Sequence, residues 1–119
     1  MVKYLKSNKG EWIHCKGYKK KVILDEKDLN CKGTLFQIIK INPKTEIKPH
    51  FHKKMTEVFF ILKGNAIIFI EGKDYRLEPG DALVCHPGEV HGAKNDSNKE
   101  FEYAVFKTNV EENDSFWEK

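Results

Sequence analysis

Residues 49–64 read Pro49-His50-Phe51-His52-Lys53-Lys54-Met55-Thr56-Glu57-Val58-Phe59-Phe60-Ile61-Leu62-Lys63-Gly64, and the reading of this chain turns on them. His50 and His52 stand two residues apart. Side chains alternate between the faces of an extended strand, so both imidazoles share one face. Glu57 comes five residues after His52, and that odd separation puts it on the other face of a straight strand. Lys53 to Thr56 must therefore bend or break the strand and reset its phase before Glu57 can rejoin the histidines. His91 arrives 34 residues after Glu57, on another strand and just after a Gly turn.

Outward from this stretch, short apolar runs alternate with turn residues at the spacing of an all-β sandwich or barrel. Leu35 to Ile41 is stopped by Asn42-Pro43, Glu57 to Leu62 by Lys63-Gly64-Asn65, and Ala66 to Ile70 by Glu71-Gly72. Tyr75 to Leu77 runs into Glu78-Pro79-Gly80-Asp81, where Pro in second and Gly in third place suit a type II turn. Ala82 to Cys85, Val90 to Lys94 and Phe101 to Lys107 bring the set to at least seven strands, and no stretch predicts a long helix. Val58–Leu62 and Ala66–Ile70 are apolar on both faces, unlike a strand with one wet side. Their outer face is expected to be covered by the N-terminal segment or by a second copy, and a homodimer is the favoured expectation.

The first 33 residues are polar and irregular. Trp12-Ile13 and Val22-Ile23-Leu24 suggest short strands, Tyr18-Lys19-Lys20-Lys21 a solvated basic patch, and Asp25 to Asn30 a helical turn or a loop. The expected organisation is a segment at 1–33 packing on the barrel, the barrel at 34–108 and a C-terminal tail at 109–119.

The whole chain has 119 residues, one ordinary domain. Hydrophobic residues make up 39% and aromatics 12%, which excludes a disordered chain. Lys plus Arg is 21 against 18 Asp plus Glu, and a net charge of +3 falls short of a nucleic-acid-binding footprint. No apolar run reaches the ~18 residues a membrane helix needs, and no secretory signal is visible at the start. Three cysteines (Cys15, Cys31, Cys85), with no CxxC pair, argue against a disulfide framework and for a reducing cytoplasm. Cys85 shares strand phase with Leu83 and is expected to pack as a small hydrophobe.

Three imidazoles and a carboxylate form a mixed nitrogen and oxygen donor set that suits Fe, Mn, Co, Ni, Cu or Zn. Four protein donors leave open positions on a six-coordinate ion, the mark of a catalytic or sensing site rather than a closed structural one. A lone strand histidine is more often a satisfied polar residue, and HxH alone is a weak signal. The joint pattern with its flanking turns is what carries the reading.

Residues 49–64 resemble the first motif of the cupin superfamily: HxH, three or four residues, Glu, six residues and Gly. Gly80-Asp81-Ala82-Leu83-Val84-Cys85-His86-Pro87-Gly88-Glu89-Val90-His91-Gly92-Ala93-Lys94-Asn95 resembles the second, with Gly80, Gly88, His91 and Asn95 in place. Two positions depart from the pattern. Lys44 stands where the first motif often begins with Gly, and His86 where the second has Pro, with Pro87 one place late. The resemblance implies a double-stranded β-helix (jelly-roll) barrel with His50, His52, Glu57 and His91 as metal ligands at its mouth. It implies that Asn95 fixes a turn, that Phe59 and Ile61 point inward, and that Tyr103 lines or packs behind the cavity. His86, an imidazole expected at the pocket lip, is the candidate catalytic proton shuttle.

The expected function is that of a divalent-metal-binding single-domain cupin. It would be a small metalloenzyme acting on a small oxygen-rich ligand, by dioxygenase or by sugar isomerase or lyase chemistry. The alternative is a non-catalytic module binding a sugar-like or acidic ligand, which Lys48, Lys53 and Lys54 would suit. A small molecule and a second copy are the expected partners, with neither nucleic acid nor membrane.

Overall fold

In the computed structural model, which describes residues 2–117, strands form where β-branched and aromatic residues cluster between turn residues. They are β1 (Ile13–Cys15), β2 (Tyr18–Leu24), β3 (Leu35–Ile41), β4 (Thr45–Phe51), β5 (Thr56–Lys63), β6 (Ala66–Ile70), β7 (Lys73–Leu77), β8 (Ala82–Cys85), β9 (His91–Asn95), β10 (Phe101–Thr108) and β11 (Phe116–Trp117). No helix occurs among the described residues, and so none long and apolar enough to cross a membrane. Met1, Glu118 and Lys119, the outermost parts of the expected N-terminal segment and C-terminal tail, lie outside the described residues.

Two antiparallel sheets enclose the core, one ordered β1-β2-β3-β10-β5-β8 and the other β11-β4-β9-β6-β7. Apart from β1-β2, β2-β3 and β6-β7, neighbouring strands come from distant parts of the chain, as the expected jelly roll requires. Period-two burial sets the inner faces: Gln37, Ile39 and Ile41 on β3, Glu57, Phe59 and Ile61 on β5, and Phe101, Tyr103 and Val105 on β10. At one end the interior is dry. Ile41, Ile61, Ala66 and Phe101 are each no more than 1% exposed. Burial of an Ile or Phe of this kind contributes about 1.5–3 kcal/mol.

Turn chemistry follows the sequence. Gly80 takes φ +94° and the Asp81 N–H donates to the Glu78 carbonyl at 3.0 Å, closing the expected turn. Asn95, 1% exposed, pins another: its Nδ2 lies 3.2, 3.1 and 2.8 Å from the carbonyl oxygens of Ile41, Asn42 and Lys99. Asp25 to Asn30 forms turns, capped by Asp25 Oδ1, which accepts from the N–H groups of Lys27 and Asp28.

Three stretches differ from the sequence reading. Tyr18 to Lys21 is no solvated patch but the first half of β2, because β3 supplies ladder partners from Tyr18 to Leu24. Trp12 lies over this sheet, with the Nζ atoms of Lys19, Lys21 and Lys40 at 5.2, 5.6 and 4.9 Å from its ring, and Lys21 is 6% exposed. β4 begins well before the HxH pair. Phe116-Trp117 adds a strand beside it, with Trp117 opposite His50. The N-terminal segment covers only the β2–β3 side. The outer face of β10, β5 and β8 leaves Val58, Phe60, Leu62, Val84 and Phe106 exposed.

Candidate metal centre

The phase problem between His52 and Glu57 is solved by a change of sheet. β4 belongs to the five-stranded sheet and β5 to the six-stranded one, and residues 52–55 cross between them. The crossing leaves three backbone N–H groups without ladder partners, and the Asp114 carboxylate takes all of them. It accepts from Lys53 at 2.8 Å, Lys54 at 3.1 Å and Met55 at 3.2 Å. Burial alone would raise this carboxyl's pKa, but those donors hold it below its ordinary value.

The other ligand strand is set by an irregularity. Pro49 has no N–H to offer, and the β4–β9 register shifts between Ile47 and His50. After the shift His50 pairs directly with His91. Gly92 beside it is obligatory, because a Cβ there would run into the Phe69 ring and the Ile47 carbonyl.

The three imidazoles are oriented alike. Each Nδ1 faces a backbone carbonyl oxygen and so donates to it: His50 to Lys48 at 2.9 Å, His52 to Asp114 at 2.8 Å and His91 to Glu89 at 3.0 Å. A carbonyl accepts only, so this fixes the tautomer and leaves each neutral Nε2 with a lone pair. One ring nitrogen from each of the three lies within 4.8 Å of the others. The Glu57 Oε1 atom stands 2.8 Å from His52 Nε2 and 3.2 Å from His91 Nε2.

Three ring nitrogens thus converge, with the Glu57 carboxylate against two of them and no donor among the four groups. Glu57 is 6% exposed and its Oε1 has no hydrogen-bond partner that a neutral ring could supply. Lone pairs facing lone pairs in a buried site repel unless a cation sits between them or a ring takes up a proton. The donor set therefore fits a divalent ion, and His50, His52, His91 and Glu57 are the residues that could hold one. With protons as the only cations, burial keeps His50 down at about 4. Burial also opposes charge on His52, but Glu57 overrides it and raises that pKa. Glu57 would be raised by burial, yet His52, His91 and Lys107 hold it well below the carboxylate range.

The cluster opens into a cavity of about 150 Å3. Phe59 and Ile68 make its dry wall, and Tyr103 lines it while also packing in the core. Lys20, Gln37 and Lys107 line the β2–β3–β10 side. Burial pushes the Lys107 ammonium below its ordinary pKa; Glu57 opposes the shift and Lys20 reinforces it. Burial also pushes the Tyr18 hydroxyl up to about 12. Trp117 packs on His50 with ring centroids 4.6 Å apart.

The structure brings together His50, His52, Glu57 and His91, but not His86. Cys85 faces inward, so the next residue faces out; His86 is exposed, its N–H donates to Glu89 Oε1 at 2.6 Å, and it does not line the cavity. Cys85 is 2% exposed in the core, with its thiol pushed up to about 12 by burial, and stands outside the histidine cluster. Sequence reading missed Asp114 and Trp117, which sit in a polar tail without periodicity. It also missed Lys20, Gln37 and Lys107. Gln37 and Lys107 did carry a signal, since each interrupts an apolar series at an inward strand position.

Fold and site together define a double-stranded β-helix barrel with a histidine-rich mouth. The chain belongs to the cupin family, whose cupin domain matches residues 37–107. The oxalate-binding protein of Thermotoga maritima is 28% identical over 81 residues, 68% of this chain and 67% of the relative. Quercetin 2,3-dioxygenase of Bacillus subtilis is 31% identical over 70 residues, 58% of this chain but 21% of the dioxygenase. Among solved structures, the polyketide cyclase RemF of Streptomyces resistomycificus has a TM-score of 0.84 at 18% identity, covering 98% of this chain and 85% of that one. KdgF from Halomonas sp. has a TM-score of 0.81 at 18% identity, covering 94% and 97%. At these identities the structural likeness concerns the fold alone.

Proposed function

We propose that this chain binds one divalent transition metal through His50, His52, Glu57 and His91. It serves as a small metalloenzyme acting on a small oxygen-rich ligand, of dioxygenase or of sugar isomerase or lyase type. The observation that carries the reading is the convergence of four acceptors with no donor among them. Fe, Mn, Ni, Zn and Cu all accept such a set. The bound ion supplies a Lewis acid to a carbonyl or carboxylate, or with iron a site for dioxygen chemistry. The protein's own part is to hold the rings by their Nδ1 bonds and to keep a dry wall at Phe59 and Ile68. A second reading, a non-catalytic module for a sugar-like or acidic ligand, is favoured by the name of the Thermotoga relative and by the placement of His86 away from the cavity.

Elemental analysis of protein purified without chelators tests the metal. About one ion per chain is expected, and His52→Ala should abolish it. A wild type without metal, or a variant that keeps its full content, overturns the assignment. Product formation or oxygen uptake with candidate acids separates the enzyme from the binding module, which shows only thermal stabilisation.

The exposed Val58, Phe60, Leu62, Val84 and Phe106 support a homodimer through the outer face of β10, β5 and β8. Phe60→Glu should then sediment as a monomer. Three free cysteines agree with a reducing cytoplasm.

A further inference from the structure

The β2–β3–β10 side of the cavity breaks the rule that builds the rest of the interior. Inward positions on these strands should be apolar, yet Lys20, Gln37 and Lys107 occupy three of them and line the cavity. Lys107 pairs across the ladder with Glu57, Gln37 with Val105 on the same strand as Lys107, and Lys20 with Ile39 on the next strand over. Two ammonium groups and an amide therefore border the space beside the imidazoles.

Among the described residues none of the three has its needs met. Among the described residues neither Lys20 nor Lys107 forms an ion pair. Gln37 is 3% exposed, and among the described residues its Oε1 has no hydrogen-bond partner. A buried unpartnered acceptor costs about 1–3 kcal/mol, and like charges brought together in a partly dry site repel. Such groups are retained where something absent from the free protein completes them. An anion would meet the lysines and a hydroxyl donor would meet Gln37. The cavity of about 150 Å3 limits it to a small molecule.

We propose that Lys20, Gln37 and Lys107 form a recognition wall that selects a small hydroxydicarboxylic acid. The acid's first carboxylate and its neighbouring hydroxyl face the histidine cluster, its second carboxylate is held by Lys20 and Lys107, and a further hydroxyl donates to Gln37 Oε1. This rests on the metal reading above for the first end of the ligand and is independent of it for the second.

Three acids separate the contributions. Lactate carries only the chelating end, malate adds the second carboxylate, and tartrate adds the further hydroxyl. Calorimetric titration of the zinc-loaded protein should rank them tartrate, malate, lactate, with malate at least tenfold tighter than lactate. Lys20→Met and Lys107→Met should remove most of malate's advantage while lactate stays within about twofold. Lys20→Met is the decisive variant, since Lys107 also acts on Glu57, and metal content is measured in each sample. Gln37→Leu should erase the preference for tartrate over malate and raise the melting temperature of the ligand-free protein.

Equal affinity for malate and lactate in the wild type overturns the wall, and so does equal weakening of both acids by Lys20→Met. The same titrations on metal-free protein keep the two proposals apart. If no metal binds, the metal reading fails while a preference for malate over lactate still supports the wall. If metal binds and no preference is seen, the wall fails alone.

Discussion

The two ends of one barrel interior use the same strands in opposite ways. At the base, β3, β5, β6 and β10 turn Ile41, Ile61, Ala66 and Phe101 inward, and the space is filled without a polar atom from those side chains. At the mouth the same period-two alternation turns inward Gln37, Glu57 and Lys107. The base is complete by itself. The mouth is a set of unmet requirements: three ring lone pairs, a buried carboxylate, two ammonium groups and an orphaned amide oxygen. The contrast teaches that stability and function are separated along a strand by as few as two residues, Val105 preceding Lys107.

That division can be broken by experiment, the base giving the largest effect. Phe101→Ala should lose about 3–5 kcal/mol in denaturant unfolding, because a fully buried ring leaves a cavity. A loss under ~1 kcal/mol would show that the base is not the packed support described.

At the mouth, a metal at a hundredfold excess over its Kd should add about 2.7 kcal/mol. Glu57→Gln should lose that gain while the metal-free protein unfolds no earlier than wild type. Its amide can donate to the His52 or His91 Nε2 where the carboxylate cannot. A metal-free Glu57→Gln protein that unfolds well below wild type would mean the acceptors are not in conflict.

Asp114 holds the crossing between the sheets, and its effect depends on pH. Its folded pKa lies below the unfolded value near 3.9. Its stabilisation is therefore fully present above that value and is lost as pH falls through the folded pKa. Asp114→Asn should destabilise by about 2 kcal/mol at pH 7 and flatten the acid limb of the stability profile. An unchanged acid limb would remove Asp114 from the account.

The smallest effect is expected at His86. As an exposed turn residue, its replacement by Ala should change stability by less than ~0.5 kcal/mol and leave metal content unchanged.

Much of this was legible in the chain itself. Apart from the first part of β4, the strands from Leu35 to Lys107 announce themselves through apolar runs and through Gly and Pro stops, which are local effects. The HxH pair, Glu57 and His91 were legible as donor types at strand spacing, and even the need for a phase reset followed from parity. How the reset is made was not legible, because Asp114 reaches Lys53 from 61 residues away. Tyr18 to Lys21 misled for a related reason: lysines read as solvent-facing until a neighbouring strand and Trp12 enclose them.

By itself the sequence determined which segments extend, which residues could ligate a cation, and that both lie within one barrel. Only the tertiary structure decided that the tail supports the crossing, that His86 faces away, and that Lys20, Gln37 and Lys107 look into the histidine cavity. The reason is physical. Alternation and turn preference act over a few residues, whereas strand pairing and sheet crossing set which distant side chains share a space, and no short stretch encodes that neighbourhood.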